Sequence, residues 1–234
     1  MNNVLRAELY KLKNNKTFYL CMLVAIGVSI VGTVTTTDEN ATYMFLSVAT
    51  NLPIFLAITV SDIVCNDYEE NTMKNLISSG NSRWHIYGGK LIAALIVGVI
   101  FFAVDGVAST ISGYIFNGFG HGVTALHVME SLAVQLLLIA VYVLTFFGFS
   151  AIAKTSKVGL IASLIYIFAV ALIPWALSNY VFHVNLSAFS MDTLIKNIEN
   201  LNFSYHMIIN FVIYGSASIL FNIIGYLRFK REEV

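Results

Sequence analysis

The stretch NDYEENTMKNLISSGNSRWHIYGGK, residues 66–90, is a long polar segment with charges of both signs in a chain that is otherwise mostly apolar. Of the 234 residues, 58% are hydrophobic and 11% are charged, and the mean hydropathy is +0.78. Soluble domains carry about 25% charged residues, so this chain has too few charges to solvate an ordinary globular surface. The composition therefore predicts an integral membrane protein.

Apolar runs on both sides of this segment have the length of membrane-spanning helices, which is roughly 20 residues for a hydrocarbon core about 30 Å thick. They predict an all-α integral membrane protein, a single transmembrane domain over residues 1–234 with six transmembrane helices. The predicted spans are 17–36, 42–64, 88–116, 131–153, 158–180 and 207–228. The first run is interpreted as a span and not as a cleaved signal peptide, because no A-x-A site follows it.

Lysine and arginine predict which side of the membrane each connection faces. Twelve of the 13 basic residues fall in four places: the N-terminal segment, the stretch around 66–90, the turn between the fourth and fifth spans, and the C-terminus. With six spans, alternation brings these four segments to one side, so both termini are expected to be cytoplasmic. The net charge of zero argues against a nucleic-acid partner.

Two segments outside the predicted spans have features beyond those of simple loops. Leu5, Leu9 and Leu12 share one face at helical spacing, and basic residues beside them can reach lipid headgroups. Residues 1–16 are therefore expected to form an interfacial elbow helix. On the other side of the membrane, residues 181–206 form the longest outer connection, and part of it has the pattern of a short amphipathic helix.

The cytoplasmic loop at residues 66–87 is longer than two spans need, since connections between helices usually take 2–8 residues. Asp67, Glu69 and Glu70 are expected to open a helix, because acidic side chains suit a helix N-terminus, and Gly80 is expected to end it. The chain would then bend into the third span. A long, shaped loop favours a docking surface over a solvated hairpin without a partner.

The leader ELYKLKNNKTFYL (8–20), the six spans and the loop NDYEENTMKNLISSGNSRWHIYGGKLI (66–92) together resemble the permease subunits of ABC-2-type transporters. The layout is similar over nearly the whole chain, and it is most similar to the small six-span permeases of Gram-positive bacteria for lantibiotic immunity, bacitracin resistance and toxic-peptide export. The specific part is the E-N-T-x-K-N-L-x-S-x-G pattern, which in that family is a coupling helix seated in a cleft of the ATP-binding subunit. The resemblance assigns contact with the ATPase to eight residues: Tyr68, Glu69, Glu70, Thr72, Met73, Lys74, Asn75 and Leu76.

The resemblance implies two ATP-binding subunits and two permeases, the second permease being another copy of this chain or a paralogue. No GxxxxGK[ST] phosphate loop occurs in the sequence, so no cofactor is expected in this chain, and ATP and Mg²⁺ would bind to the partner subunit. The expected function is export of a peptide or another amphipathic or lipophilic substrate across a bacterial plasma membrane. No catalytic residue is expected in the chain itself.

Polar residues within the spans are candidates for a substrate pathway, because charge at membrane depth is costly. Asp105 lies about 22 Å along a helix from Lys90, at 1.5 Å per residue. The candidates are Asp105, Asn51 and Gln135; the alternative for Asp105 is a structural hydrogen bond to Gln135 or to an interhelical serine or threonine. No metal site is expected, because the histidine and cysteine spacings suit none.

Two other functions remain as alternatives. A self-sufficient secondary transporter or channel usually has inverted repeats and several ionisable groups within its spans, whereas here Asp105 alone lies deep in one. An intramembrane enzyme is less favoured: EENTMK (69–74) has a faint similarity to the EExxxR of CAAX-type proteases. Lys74 replaces the arginine, however, and no matching histidine lies in a span.

Overall fold

The structure is a computed structural model that describes residues 2–35, 48–78, 80, 82–118, 125–176, 190–191, 193–195 and 205–231. Within these ranges the chain is helical and contains no strand. The helices are α1 (Asn2–Asn14), α2 (Lys16–Thr35), α3 (Val48–Glu69), α4 (Met73–Ser78), α5 (Arg83–Asn117), α6 (Ala125–Ala153), α7 (Ser156–Ala176) and α8 (Tyr205–Lys230). The prediction of an all-α membrane protein is confirmed.

Five of the described helices, α2 and α5 to α8, are long and apolar enough to cross a membrane. The second predicted span, 42–64, is described from Val48 onward and belongs to α3, while residues 42–47 lie outside the described residues. α1 covers most of the predicted elbow helix. The predicted outer helix in residues 181–206 lies largely outside the described residues.

Helix α6 is the most buried of the five candidate spans, and it packs against α3, α5, α7 and α8. Glycines allow close approach at its crossings. A Cβ atom at Gly148 would lie 2.8 Å from Cβ of Phe221 on α8, and a Cβ atom at Gly98 of α5 would lie 3.0 Å from Cγ2 of Val143. Contacts of this kind are typical of helices that associate in lipid, where small residues let the backbones approach.

The segments rich in lysine and arginine meet at one end of the bundle, which we call the basic end (residues 4–16, 62–90, 150–157 and 226–231). Arg83 at the start of α5 donates a hydrogen bond from Nη1 to the carbonyl of Lys230, at the end of α8, over 2.8 Å. The carboxylate of Glu69 accepts a hydrogen bond of 2.7 Å from the backbone N–H of Ser156, the first residue of α7. Helix α1 packs against α5, so the four basic segments adjoin one another in space.

Candidate functional site

The polar segment between α3 and α5 forms a compact arm (residues 67–82) at the basic end. Helix α3 continues to Glu69, and Asn71 then adopts a left-handed conformation with φ 56°, after which α4 runs for six residues. Asparagine tolerates this region of φ because its short polar side chain can bond locally. The sharp turn at Asn71 brings Thr72, which precedes α4, back to Asp67 in the last turn of α3.

Gly80 and Ser82 return the arm to the bundle. Gly80 has φ 83°, a conformation that glycine adopts without a steric penalty. Ser82 then caps α5, since its Oγ accepts a hydrogen bond from the backbone N–H of His85 at 3.3 Å. Gly80 and Ser82 thus account for the way in which the chain leaves the arm and begins α5.

The prediction that Asp67, Glu69 and Glu70 open the helix of this loop is wrong. Asp67 and Glu69 lie in the last turn of α3, and Glu70 follows it. A carboxylate near a helix C-terminus opposes the helix dipole by only about 0.3–1 kcal/mol. Ion pairs with lysines from other helices outweigh that cost here, and residues close in sequence give no sign of them.

Asp67 is the centre of a cluster that we call the Asp67 network (Glu8, Lys11, Asp67, Thr72 and Lys90). Nζ of Lys11 lies 2.6 Å from Oδ1 of Asp67, and Nζ of Lys90 lies 2.7 Å from Oδ2. Oε1 of Glu8 lies 3.4 Å from each lysine. Asp67, Lys90 and Glu8 are all at least 97% buried. Two cations and two anions make the network neutral as a whole.

Hydrogen bonds complete the network. The hydroxyl of Thr72 donates to Oδ1 of Asp67 at 2.8 Å, and Nζ of Lys90 donates to the carbonyl of Ile63 at 2.8 Å. Burial by itself would raise the pKa of Asp67, but the charge of Lys90 and the hydrogen bonds from Lys11, Lys90 and Thr72 hold that pKa well below its usual range. Asp67 is therefore ionised at neutral pH, and it joins α1, α3, the arm and α5.

Two further contacts hold α1 against the bundle. The side-chain amide of Asn15, between α1 and α2, donates a hydrogen bond to the carboxylate of Asp62 on α3. A Cβ atom at Gly89 of α5 would lie 2.9 Å from Cγ1 of Val4, whereas one at Gly88 would have no neighbour within 4 Å. Helix α1 thus packs closely on α5 at the position of Gly89.

The eight residues predicted to contact an ATPase divide into two groups. Glu69, Glu70, Lys74 and Asn75 are exposed, whereas Met73 is buried and Tyr68, Thr72 and Leu76 are half-buried. The ring of Tyr68 packs edge-on against Phe229 of α8, with 6.4 Å between the ring centroids. The inner group anchors the arm to the bundle, and the outer group is the surface that the arm offers.

Glu69 combines exposure with a local partner. Its carboxylate bonds to the first backbone N–H of α7, a position at which negative charge is favourable. Burial raises the pKa of Tyr68, with smaller contributions from nearby groups. Neither residue is therefore a simple surface contact, which leaves Glu70, Lys74 and Asn75 as the outward-facing polar positions of the predicted set.

The predicted pathway residues lie on three different helices. Asp105 of α5 is 1% exposed and accepts a hydrogen bond from the hydroxyl of Ser29 on α2, while its Oδ2 has no hydrogen-bond partner in the described part of the chain. Gln135 of α6 is buried and bonds to Ser131, one turn earlier on the same helix, at 3.1 Å. Asn51 is half-buried on α3. The interhelical partner of Asp105 is thus a serine and not Gln135.

Glu8, Lys11 and Lys90 did not stand out in the sequence as site residues. A usable sign was present for the first two, which are three residues apart and so share one face of α1. Lys90 directly precedes an apolar run, a position typical of an ordinary membrane-flanking charge. In the described residues, no group of three or more His, Cys, Asp or Glu side chains has an arrangement that could hold a metal ion.

The fold and the arm define a multi-pass membrane protein with a structured polar element at one end. A family model described as "ABC-2 family transporter protein" matches residues 4–170. This match covers well over half of the chain, and the chain therefore belongs to the ABC-2 family of transporter proteins, as a permease-type transport component. The matched range contains α1 from residue 4 onward, α2 to α6, most of α7 and the whole Asp67 network. A comparison with curated proteins gives no match.

Proposed function

We propose that the chain is the permease subunit of an ABC exporter, and that a separate ATP-binding subunit, present in two copies, docks on the outer face of the arm. ATP and Mg²⁺ would be bound and hydrolysed by that subunit. The observation that carries the proposal is the construction of the arm, which has exposed polar residues outside and a buried ion network inside. A segment that transmits movement needs both a surface and a firm connection to the spans.

The outer face of the arm suits a protein partner with mixed charge. Glu70, Lys74 and Asn75 are exposed within six residues of one another and carry one negative charge, one positive charge and one amide. The arm is short and is closed at both ends by the turns at Asn71 and Gly80. Such an element presents a small, shaped surface, as expected of a coupling helix.

Movement of the arm would reach three helices through the Asp67 network. Thr72, at the start of α4, bonds to Asp67 on α3, and the lysines of the network belong to α1 and α5. Closure of an ATPase pair against the arm would therefore displace the ends of these helices together. We infer that this is how hydrolysis reorients the spans.

The substrate proposal is an exported peptide or another amphipathic or lipophilic molecule, as in antimicrobial-peptide immunity, and a second permease copy or paralogue would complete the pathway. The incompletely bonded Asp105 supports a role in contacting a polar or cationic group of the substrate, with Asn51 and Gln135 as further candidates. The cluster of lysines and arginines at the basic end supports placing it, with both termini, in the cytoplasm of a bacterial cell.

Co-purification tests the docking surface directly. We would solubilise the tagged chain from its native membrane, measure ATP hydrolysis, and identify any bound protein that carries a GxxxxGK[ST] sequence. Glu70→Lys is the test variant, and Glu130→Lys is the matched control, because Glu130 is an exposed glutamate near the opposite end of the bundle. Glu69 stays unchanged because it caps α7.

We expect the ATP-binding subunit and ATP hydrolysis to accompany the native chain and Glu130→Lys, and both to be reduced at least tenfold in Glu70→Lys. Equal recovery of the ATP-binding subunit with Glu70→Lys would remove the docking assignment. Recovery of a chain that transports a substrate with no ATP-binding protein attached would instead favour the self-sufficient transporter.

A further inference from the structure

A basic cleft lies between the turn that follows α6 and the last turns of α8, apart from the arm. Lys154, Arg228 and Arg231 line it together with Ile224 and Leu227, and its volume is about 370 Å³. The cleft therefore has three cationic side chains and an apolar wall.

The backbone brings the three cationic side chains to one cleft. Lys154 directly follows α6 and adopts a left-handed conformation with φ 64°, and its N–H bonds to the carbonyl of Ser150 at 2.9 Å. Arg228 and Arg231 are three residues apart at the end of α8, so they share one side of that helix. Burial and the nearby charge of Arg228 lower the pKa of Lys154. A cleft lined by several cationic side chains suits an anionic ligand.

The position of the cleft, at the ends of candidate membrane helices, suits a lipid headgroup. It lies where two candidate membrane helices end, α6 at Ala153 and α8 at Lys230. Further into the span, α8 exposes large apolar side chains that continue the apolar wall: Ile219, Leu220, Ile223, Ile224 and Leu227. Charge at headgroup level above an exposed apolar helix face matches a phosphate ester that carries acyl chains.

We propose that this cleft binds the headgroup phosphate of an anionic phospholipid, whose acyl chains lie along the exposed face of α8. Guanidinium groups bind phosphate oxygens through two parallel N–H donors, which favours the arginines as the main contacts. The apolar wall favours a lipid over a free phosphate ion, which would gain nothing from Ile224 and Leu227.

The test compares lipid retention between two variants of equal charge. The purified chain is placed in phosphatidylcholine vesicles with and without phosphatidylglycerol, then extracted gently, and bound phosphatidylglycerol is counted by native mass spectrometry together with the Tm. The test variant is Arg228→Gln with Arg231→Gln. The control is Lys13→Gln with Lys16→Gln, which removes two exposed cations from the same end. Because these lysines belong to the predicted interfacial segment, the control measures general attraction to headgroups outside the cleft, which does not hold a lipid through extraction.

We expect the native chain and the control to retain phosphatidylglycerol and to gain Tm from it, while the arginine variant loses on the order of tenfold in retention, from a few-fold per basic residue. An equal Tm of the variants in pure phosphatidylcholine shows that both are folded. The readouts need no ATP-binding partner, so they are independent of the proposed export function.

Three results would overturn the proposal. One is equal retention by the native chain and the arginine variant. Another is a full gain of Tm from inorganic phosphate in phosphatidylcholine, which assigns the cleft to a free anion. The third concerns Glu232 and Glu233, which lie outside the described residues. If their replacement by glutamine makes the Tm depend on phosphatidylglycerol while the Tm of the native chain does not, the chain's own C-terminus fills the cleft.

Discussion

Asp67 and Asp105 are both carboxylates with at most 1% of their surface exposed, yet their electrostatic surroundings are opposite. Asp67 has the ammonium groups of Lys11 and Lys90 within 2.7 Å and accepts a hydrogen bond from Thr72. Asp105 has the hydroxyl of Ser29 on one oxygen, and the described residues supply no partner for the other. Each oxygen of Asp67 therefore lies beside a lysine, whereas one oxygen of Asp105 has no partner among the described residues.

The difference decides which carboxylate is needed for the fold. A buried charge without a partner costs several kcal/mol, so removing one partner of a buried ion pair is strongly destabilising, whatever the net contribution of the intact pair. Removing the charge of Asp67 would therefore leave lysines uncompensated, while removing the charge of Asp105 leaves no cation behind in its described surroundings. We interpret Asp67 as a structural connection and Asp105 as a site that has capacity for another group.

The largest effect is expected from Asp67→Asn. This change leaves the network with one excess positive charge next to the buried Lys90, and we expect a loss of about 3–5 kcal/mol, the range for breaking a buried ion pair from one side. Tm in detergent and the yield of folded protein in membranes measure it. Glu70→Gln serves as the control, because Glu70 is exposed.

A second change separates loss of charge balance from loss of packing. Adding Lys90→Met to Asp67→Asn removes the uncompensated cation and should recover part of the lost Tm. The result to compare is the loss of stability in the double variant with the sum of the losses in Asp67→Asn and Lys90→Met. If the two are equal, the residues do not act as a pair, and the network does not stabilise the protein through charge balance.

The next effect in size concerns the approach of α1, which supplies Glu8 and Lys11. Gly89→Ala places a Cβ atom 2.9 Å from Val4 and should cost about 1–3 kcal/mol, as overpacking does. Gly88→Ala is the matched control, since its Cβ atom meets nothing within 4 Å. Tm measures both variants.

If α1 acts through the Asp67 network, the costs of Gly89→Ala and Asp67→Asn should not add. Pushing α1 away already weakens the Lys11 contact, so Gly89→Ala should cost less in the Asp67→Asn background than in the native chain. Strict additivity would show that the close packing at Gly89 and the ion network stabilise the protein separately.

Acid should weaken the network at Asp67 selectively. Its pKa in the folded protein lies below the unfolded value of about 3.9, so its contribution is complete above that pH and is lost as the pH falls toward the folded pKa. The stability difference between the native chain and Asp67→Asn should therefore shrink by about 1 kcal/mol at pH 3. Tm measured for both from pH 7 to pH 3 tests this, and a constant difference would contradict it.

The length of apolar runs predicted the membrane class and the helical fold, because a span is a property of consecutive residues. Asp67 shows where that reasoning ends: its partners Lys11 and Lys90 are 56 and 23 residues away in the chain, and only packing brings them together. Met73 shows a second limit. The family pattern marks its segment, but it does not distinguish a buried anchor from the exposed Lys74 beside it.

The smallest effect is expected from Asp105→Asn, and it is the sharpest test of the comparison. The amide keeps an oxygen for the hydroxyl of Ser29 and replaces the oxygen that has no partner among the described residues. Because the substitution leaves no cation without its counter-charge, the free energy of unfolding should change by no more than about 1 kcal/mol. Its Tm should be measured beside that of Asp67→Asn under the same conditions.

A loss in Asp105→Asn as large as that in Asp67→Asn would mean that Asp105 has a cationic partner of its own, and the two aspartates would then have the same role. A small loss of Tm combined with a large loss of transport would instead show that the two aspartates have different roles. The fold would not need the charge of Asp105, although transport would. Substrate contact, and not the fold, would then account for a carboxylate whose burial costs desolvation.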